Sequence, residues 1–227
     1  IVRETERLYQ IDLSNKPSAM IYHGIEIDNA DLAVTPLRGQ TNRSKKFKII
    51  VVGRMEKRKG TDIILREILP SLFKELSDFE IHFAGFDNAE WDGFKDETGL
   101  FYKEYVKKHF SSQFNESLFI HGYVSDDELN DLYDSADCVL ALSRYESFGL
   151  LYVEAMRKMR PLIVFDTGTV PELFEHGVDA LIAPIANPIE VVRLVRKLKE
   201  DTLLGVQIAQ NAFRKLKERF DAQRMGR

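Results

Sequence analysis

The chain has 227 residues, enough for one large domain or two small ones, and 44% of them are hydrophobic, enough to bury a core. A formal charge of -4 gives no broad electrostatic footprint for nucleic acid, so no nucleic-acid partner is expected. A single cysteine, Cys138, excludes an internal disulfide, and no cysteine cluster points to zinc.

The first residues, 1–8, have a helix-like pattern, and residues 1–25 read as the tail of a preceding domain with a connecting strand. Residues 26–46 are polar, hold Pro36 and Gly39, show no period and read as a loop or linker. From there short β-branched runs alternate with amphipathic segments. Residues 47–53 form a strand apolar on both faces, 61–76 a helix, and 79–85 a second strand. A helix over 98–111 and a strand over 118–120 follow. Ser125 and Glu128 make a capping box for a helix ending near Tyr133. Strands at 138–142, 161–165 and 180–183 enclose a helix at 149–158 and a helical turn at 170–175. Helices at 188–200 and 202–220 close the pattern, so that 47–200 reads as one Rossmann-like domain and 201–227 as a C-terminal helix. Such alternation predicts an α/β fold, a parallel sheet with helices on both faces. Ligands of such sheets bind at the carboxyl ends of the strands.

Three post-strand loops hold candidate chemistry. In Gly53–Gly60 a glycine lets the backbone approach a ligand, and Arg54 and Lys59 supply two cations suited to a diphosphate. Taken alone, this pattern serves a surface turn equally well. In 146–154, Glu146 and Glu154 stand eight positions apart across a loop-to-helix junction. They cannot share a helical face but can reach the two ends of an extended ligand, and a carboxylate suits a vicinal diol. The amides of Phe148, Gly149 and Leu150 lie at the helix start, which favours an anion. Two surface glutamates are the plain alternative. In 166–173, Gly168 and Thr169 offer donors and Pro171 fits a first helical turn, as they also would in a simple cap.

Other features are structural or negative. The basic run Lys57, Arg58, Lys59 and that at 43–48 read, for most of their members, as solvated loop edges; Cys138 and His82 read as core packing. There is no Gly-x-Gly-x-x-Gly, no Walker loop and no Asp-x-Asp. No cofactor and no metal are expected, and a diphosphate would be met by Arg54 and Lys59. No stretch nears the roughly 18 apolar residues of a membrane helix.

Taken in order, these residues resemble glycosyltransferase family 4, whose GT-B architecture joins two Rossmann-like domains. The resemblance runs through Gly53, Arg54, Lys59 and Gly60, then His121–Val124 and Leu132–Asp137, then Ser143, Glu146–Gly149, Glu154–Met156 and Pro161. It ends with Gly168, Pro171, Glu172, Gly177 and Pro184, while residues 22–26 resemble the lead-in from the first domain. The resemblance implies the C-terminal, donor-binding half of a retaining, metal-independent enzyme. That enzyme would move a sugar from a nucleotide diphosphate sugar to a glycan or lipid-linked acceptor, in surface polysaccharide biosynthesis. It assigns Arg54 and Lys59 to the diphosphate with Gly53 beside them in the donor site, Glu146, the expected catalytic residue, to the hydroxyls of the transferred sugar, and Glu154 to the ribose. Ser147, Phe148, Gly149 and Leu150 contact sugar and phosphate, and Tyr123 and Val124 lie near the base. The acceptor falls to a missing N-terminal domain, which also makes any peripheral contact with the cytoplasmic membrane face of an otherwise cytoplasmic protein. The fragment alone is expected to be inactive.

Three departures from the family pattern stand out. Ser147 replaces a common glycine, 158–160 replaces small residues and glycine before the fifth strand, and Arg144 adds a charge at the sugar end. The competing readings are an inactive nucleotide-sugar-binding module and a GT-B-fold sugar-nucleotide epimerase. A phosphorylase would need a pyridoxal lysine that no position supplies.

Overall fold

The computed structural model describes residues 10, 12 and 46–221. The expectations for 1–25 and most of 26–46, and for 222–227, lie outside the described residues.

Among the described residues six parallel strands form one sheet in the order β3-β2-β1-β4-β5-β6. They are β1 (Phe47–Val52), β2 (Phe79–Ala84), β3 (Leu118–Gly122), β4 (Cys138–Ala141), β5 (Leu162–Phe165) and β6 (Leu181–Ala183). β1 is apolar throughout its interior because it is covered twice: Ile49 and Val51 face one layer and Ile50 the other. β1 pairs with β2 from Phe47↔Phe79 to Val52↔Ala84, and with β4 at Ile49↔Cys138 and Ile50↔Val139.

One layer contains α1, a continuous helical run of Thr61–Ile63, Ile64–Ile68 and Leu69–Glu75, with α2 (Phe94–Thr98), α3 (Tyr102–His109) and α7 (Pro188–Glu200). α7 turns Val191, Val192, Leu194, Val195 and Leu198 to the sheet, the spacing of one helical face. The other layer contains α4 (Asp126–Ser135), α5 (Leu150–Arg157), α6 (Val170–Leu173) and the end of α8 (Thr202–Arg219).

Two predicted helices differ. In α1, Pro70 has no N–H to give the carbonyl of Arg66, and Ile64–Ile68 widens into a π-helical segment. The helix expected at 98–111 is the shorter α3, because Gly99, in the left-handed region at φ 72°, ends a separate helix, α2, which the sequence does not predict, and α3 starts only at Tyr102. The capping box is present: the Glu128 N–H donates to Ser125 Oγ, and the Ser125 N–H donates to Glu128 Oε2 at 2.8 Å.

Cys138 is fully buried and its thiol is pushed well up by burial, which suits packing and not attack. His82 packs as expected, stacked on Phe119 with ring centroids 4.5 Å apart, but it is also part of a polar cluster. Its Nδ1 is 2.9 Å from His121 Nε2, and its Nε2 is 3.3 Å from Glu80, which Lys48 also meets at 3.1 Å. Alternation along β2 shows which face His82 takes but not that a second imidazole waits on β3. The turn at 158–160 does differ from a glycine turn. Met159 takes φ 49°, and Arg160, at 1% exposure, donates to the Ala136 carbonyl at 3.2 Å.

Candidate donor-binding site at the switch point

β1 is followed along the sheet by β2 on one side and by β4 on the other. The crossovers therefore diverge between β1 and β4, and their post-strand loops leave a crevice at the carboxyl edge. The loop after β1, Gly53–Gly60, forms one wall. Ser143–Gly149, between β4 and α5, forms the other.

The two walls are tied together. The Arg144 N–H donates to the Arg58 carbonyl at 2.8 Å. Gly60, at φ 77°, lets the β1 loop touch β4's end: a Cβ there would lie 2.2 Å from the Leu142 carbonyl oxygen. Arg144 makes a two-pronged pair with Asp62, at 2.6 and 2.8 Å, and reaches the Lys57 carbonyl. This corrects the expectation that Arg144 sits at the sugar end: its guanidinium is spent on holding the β1 loop, and hydrogen bonding to Asp62 holds its pKa up.

The loop after β5 is a brace. Thr167 Oγ1 donates to the Ser143 carbonyl at 3.0 Å and Thr169 Oγ1 to the Phe148 carbonyl at 3.4 Å. Both hydroxyls are buried and engaged with the β4 loop, so the Thr169 hydroxyl holds that loop. Gly168 is needed for approach, since a Cβ there would meet the Glu146 carbonyl oxygen at 2.4 Å.

In the crevice Lys59 Nζ contacts Glu146 Oε2, and Arg58 NH1 lies 3.8 Å from the same oxygen. The Lys59–Glu146 pairing joins the two candidate loops directly. Arg54 is more remote and 59% exposed; its Nε is 3.6 Å from Glu56. Gly53, at φ 115°, donates its N–H to the Ala84 carbonyl at 2.9 Å. Gly149 caps α5 at φ 85°, with Ser147 and Leu150 exposed on either side. The Phe148 ring is buried against Phe220, so only its backbone can face a ligand.

Glu154 lies one turn into α5 and accepts a hydrogen bond from the Tyr133 hydroxyl at 3.0 Å. Burial and then Glu154 keep that phenol well above its ordinary pKa, hence protonated as the donor. Tyr123, exposed at the end of β3 with Val124 beside it, lies against Phe86, ring centroids 5.6 Å apart. It is two strands from β1, about 10 Å at ordinary strand spacing. Tyr123 and Val124 are thus separate from the crevice.

Sequence alone assigns no site role to Glu56, Arg58 or Tyr133. Arg58 lies in a basic run that reads as solvated, and Glu56 and Tyr133 carry no local signal for their partners. Among the described residues no group of three or more His, Cys, Asp or Glu side chains is placed to hold a metal ion.

Residues 35–215 match the protein family described as glycosyl transferases group 1. The chain belongs to that family. Among curated relatives of this glycosyl transferases group 1 chain is mannosylfructose-phosphate synthase of Agrobacterium fabrum, 29% identical over 161 residues, 69% of this chain and 34% of that protein. The fold is shared with Anabaena HepE in complex with UDP and glucose, at TM-score 0.70 and 23% identity, over 91% of this chain and 54% of that one. It is shared too with the C-terminal domain of the group 1 glycosyl transferase LpcC from Francisella tularensis, at TM-score 0.66 and 21% identity, over 89% of this chain and 97% of that domain. The chain thus spans about a third of the first relative and about half of the HepE chain. Its architecture is the C-terminal half of a GT-B fold.

Proposed function

We propose that this chain is the donor-binding half of a retaining, metal-independent glycosyltransferase that takes a sugar from a nucleotide diphosphate sugar. The acceptor is a glycan or lipid-linked saccharide, the setting surface polysaccharide biosynthesis at the cytoplasmic membrane face. The observation that carries this reading is the meeting of Lys59 with Glu146 across the β1/β4 crevice. A cation and a carboxylate side by side at a switch point suit a ligand with an anionic group next to a polyol.

In this reading Arg54 and Lys59 take the diphosphate charge and the first turn of α5 adds its dipole. Lys59 moves from Glu146 to the phosphate, which frees Glu146 to accept hydroxyls of the transferred sugar. Glu154, held by Tyr133, accepts from the ribose, and the base lies towards Tyr123 and Val124. During transfer the bond from the anomeric carbon to the diphosphate breaks, the bond to the acceptor oxygen forms, and the acceptor proton passes to the departing diphosphate. That step needs a closed, water-excluding cleft, which a second domain would complete. The isolated chain therefore binds donor and transfers nothing.

Thermal-shift titration with UDP-, GDP- and ADP-sugars tests the reading. One nucleotide series should raise Tm with concentration, as a ligand of the folded state does. No shift with any of them, or sugar transfer at the full rate by the isolated chain, overturns it.

A further inference from the structure

Glu56 is a buried carboxylate carrying an arginine on each oxygen. Arg58 NH2 lies 2.7 Å from Oε1, as an ion pair outside hydrogen-bond geometry, and Arg54 Nε lies 3.6 Å from Oε2. Oε2 also accepts from Asn88 Nδ2 at 3.0 Å, which anchors the acid to the loop after β2. The Glu56 backbone is fixed as well, its N–H donating to Thr61 Oγ1 at 3.1 Å. At 5% exposure this acid would be costly without its cations, and Arg58, at 2.7 Å, is the nearer of the two.

Arg58 crosses the crevice. Its NH1 donates to the Tyr145 carbonyl at 3.3 Å and lies 3.8 Å from Glu146 Oε2, the oxygen that Lys59 contacts. An anion displacing Glu146 there meets two cations. The other basic side chains nearby are committed elsewhere: Lys57 to Glu97, Arg144 to Asp62. Arg58 keeps 39% of its side chain exposed, within reach of a ligand.

We propose that Arg58 is a donor-binding cation, and that Glu56 is the positioning residue that aims Arg58 and Arg54 at the diphosphate. The proposal rests on the reading of the β1/β4 crevice as the diphosphate site. Glu56 offers a test of sign. If it were a bystander, removing its negative charge would tighten anion binding; if it positions the arginines, removal weakens it.

The experiment is calorimetric titration of the whole chain with UDP and with UMP, at low and high salt, for the unaltered chain and for Arg58→Ala, Arg58→Lys, Glu56→Gln and Lys59→Ala. Arg58→Ala should weaken UDP about tenfold, the effect of one charge-assisted hydrogen bond. It should reduce the UDP-over-UMP preference, and flatten the salt dependence. Arg58→Lys should recover part of the loss, and Glu56→Gln should also weaken UDP. UDP binding by Arg58→Ala within twofold of the unaltered chain, while Lys59→Ala loses it, overturns the Arg58 assignment and leaves the site reading standing. Tighter binding by Glu56→Gln overturns the positioning role. If Glu56→Gln does not fold by circular dichroism, the two Arg58 variants decide. GDP and ADP are titrated into the unaltered chain as well, and if it binds none of UDP, GDP and ADP, the site reading and this proposal fall together.

Discussion

Single side chains in this site act through neighbours that are distant in sequence. Glu154 is presented by Tyr133, so both should matter for nucleotide binding. Glu154→Ala should reduce affinity about tenfold and Tyr133→Phe by less, as expected for losing an acceptor and then its holder. An unchanged thermal shift in Glu154→Ala would remove it from the ribose site. Glu146→Gln separates the two jobs of the crevice. With no carboxylate competing for Lys59, the nucleoside diphosphate alone should bind as well or better, while the added affinity from the sugar is lost; titrating UDP against UDP-glucose reads both. The His82 cluster sets a pH dependence. Burial, then Lys48, lowers its pKa from 6.5 to about 4. The unfolded chain takes up that proton below pH 6.5 and the folded chain only near 4, so stability falls as pH drops through this window. Over pH 6.5 to 4.5 the loss is on the order of 2 kcal/mol. Burial opposes ionisation of Glu80, but Lys48 outweighs it and holds that pKa down, which also favours the fold at higher pH. Urea unfolding from pH 7 to 4.5 should show the decline, and His82→Phe should flatten it.

The elements were legible wherever their own residues decide them. Val191, Val192, Leu194, Val195 and Leu198 announce α7, and Ser125 with Glu128 announce the start of α4. Failures came where one residue overrules a period. Pro70 leaves its apolar neighbours in place yet changes the hydrogen bonding of α1, and Gly99 closes α2 where the sequence predicts the start of a helix, so that α3 begins only at Tyr102. The post-strand loops are held by glycines whose need is tertiary. Gly168→Ala places a Cβ against the Glu146 carbonyl at a left-handed φ of 55°. It should cost about 2 kcal/mol or more and weaken donor binding further by moving Glu146. Chemical denaturation and UDP titration of the same variant measure the two effects.

At the scale of the whole molecule, stability resides in a sheet covered on both faces. Ile163 in β5 is fully buried, and Ile163→Ala should cost about 3–4 kcal/mol by denaturant unfolding without altering the donor preference. The sequence by itself determined a parallel α/β sheet, the strands that build it and the loops that carry its cations and acids, because hydrophobic period and turn chemistry are local. Only the tertiary structure decided that β1 lies beside β4, which brings Lys59 and Arg58 onto Glu146, turns Arg144 away to Asp62 and sets Tyr133 behind Glu154. Those pairings join residues far apart along the chain, where strand order and close packing, and no repeat in the sequence, choose the partner.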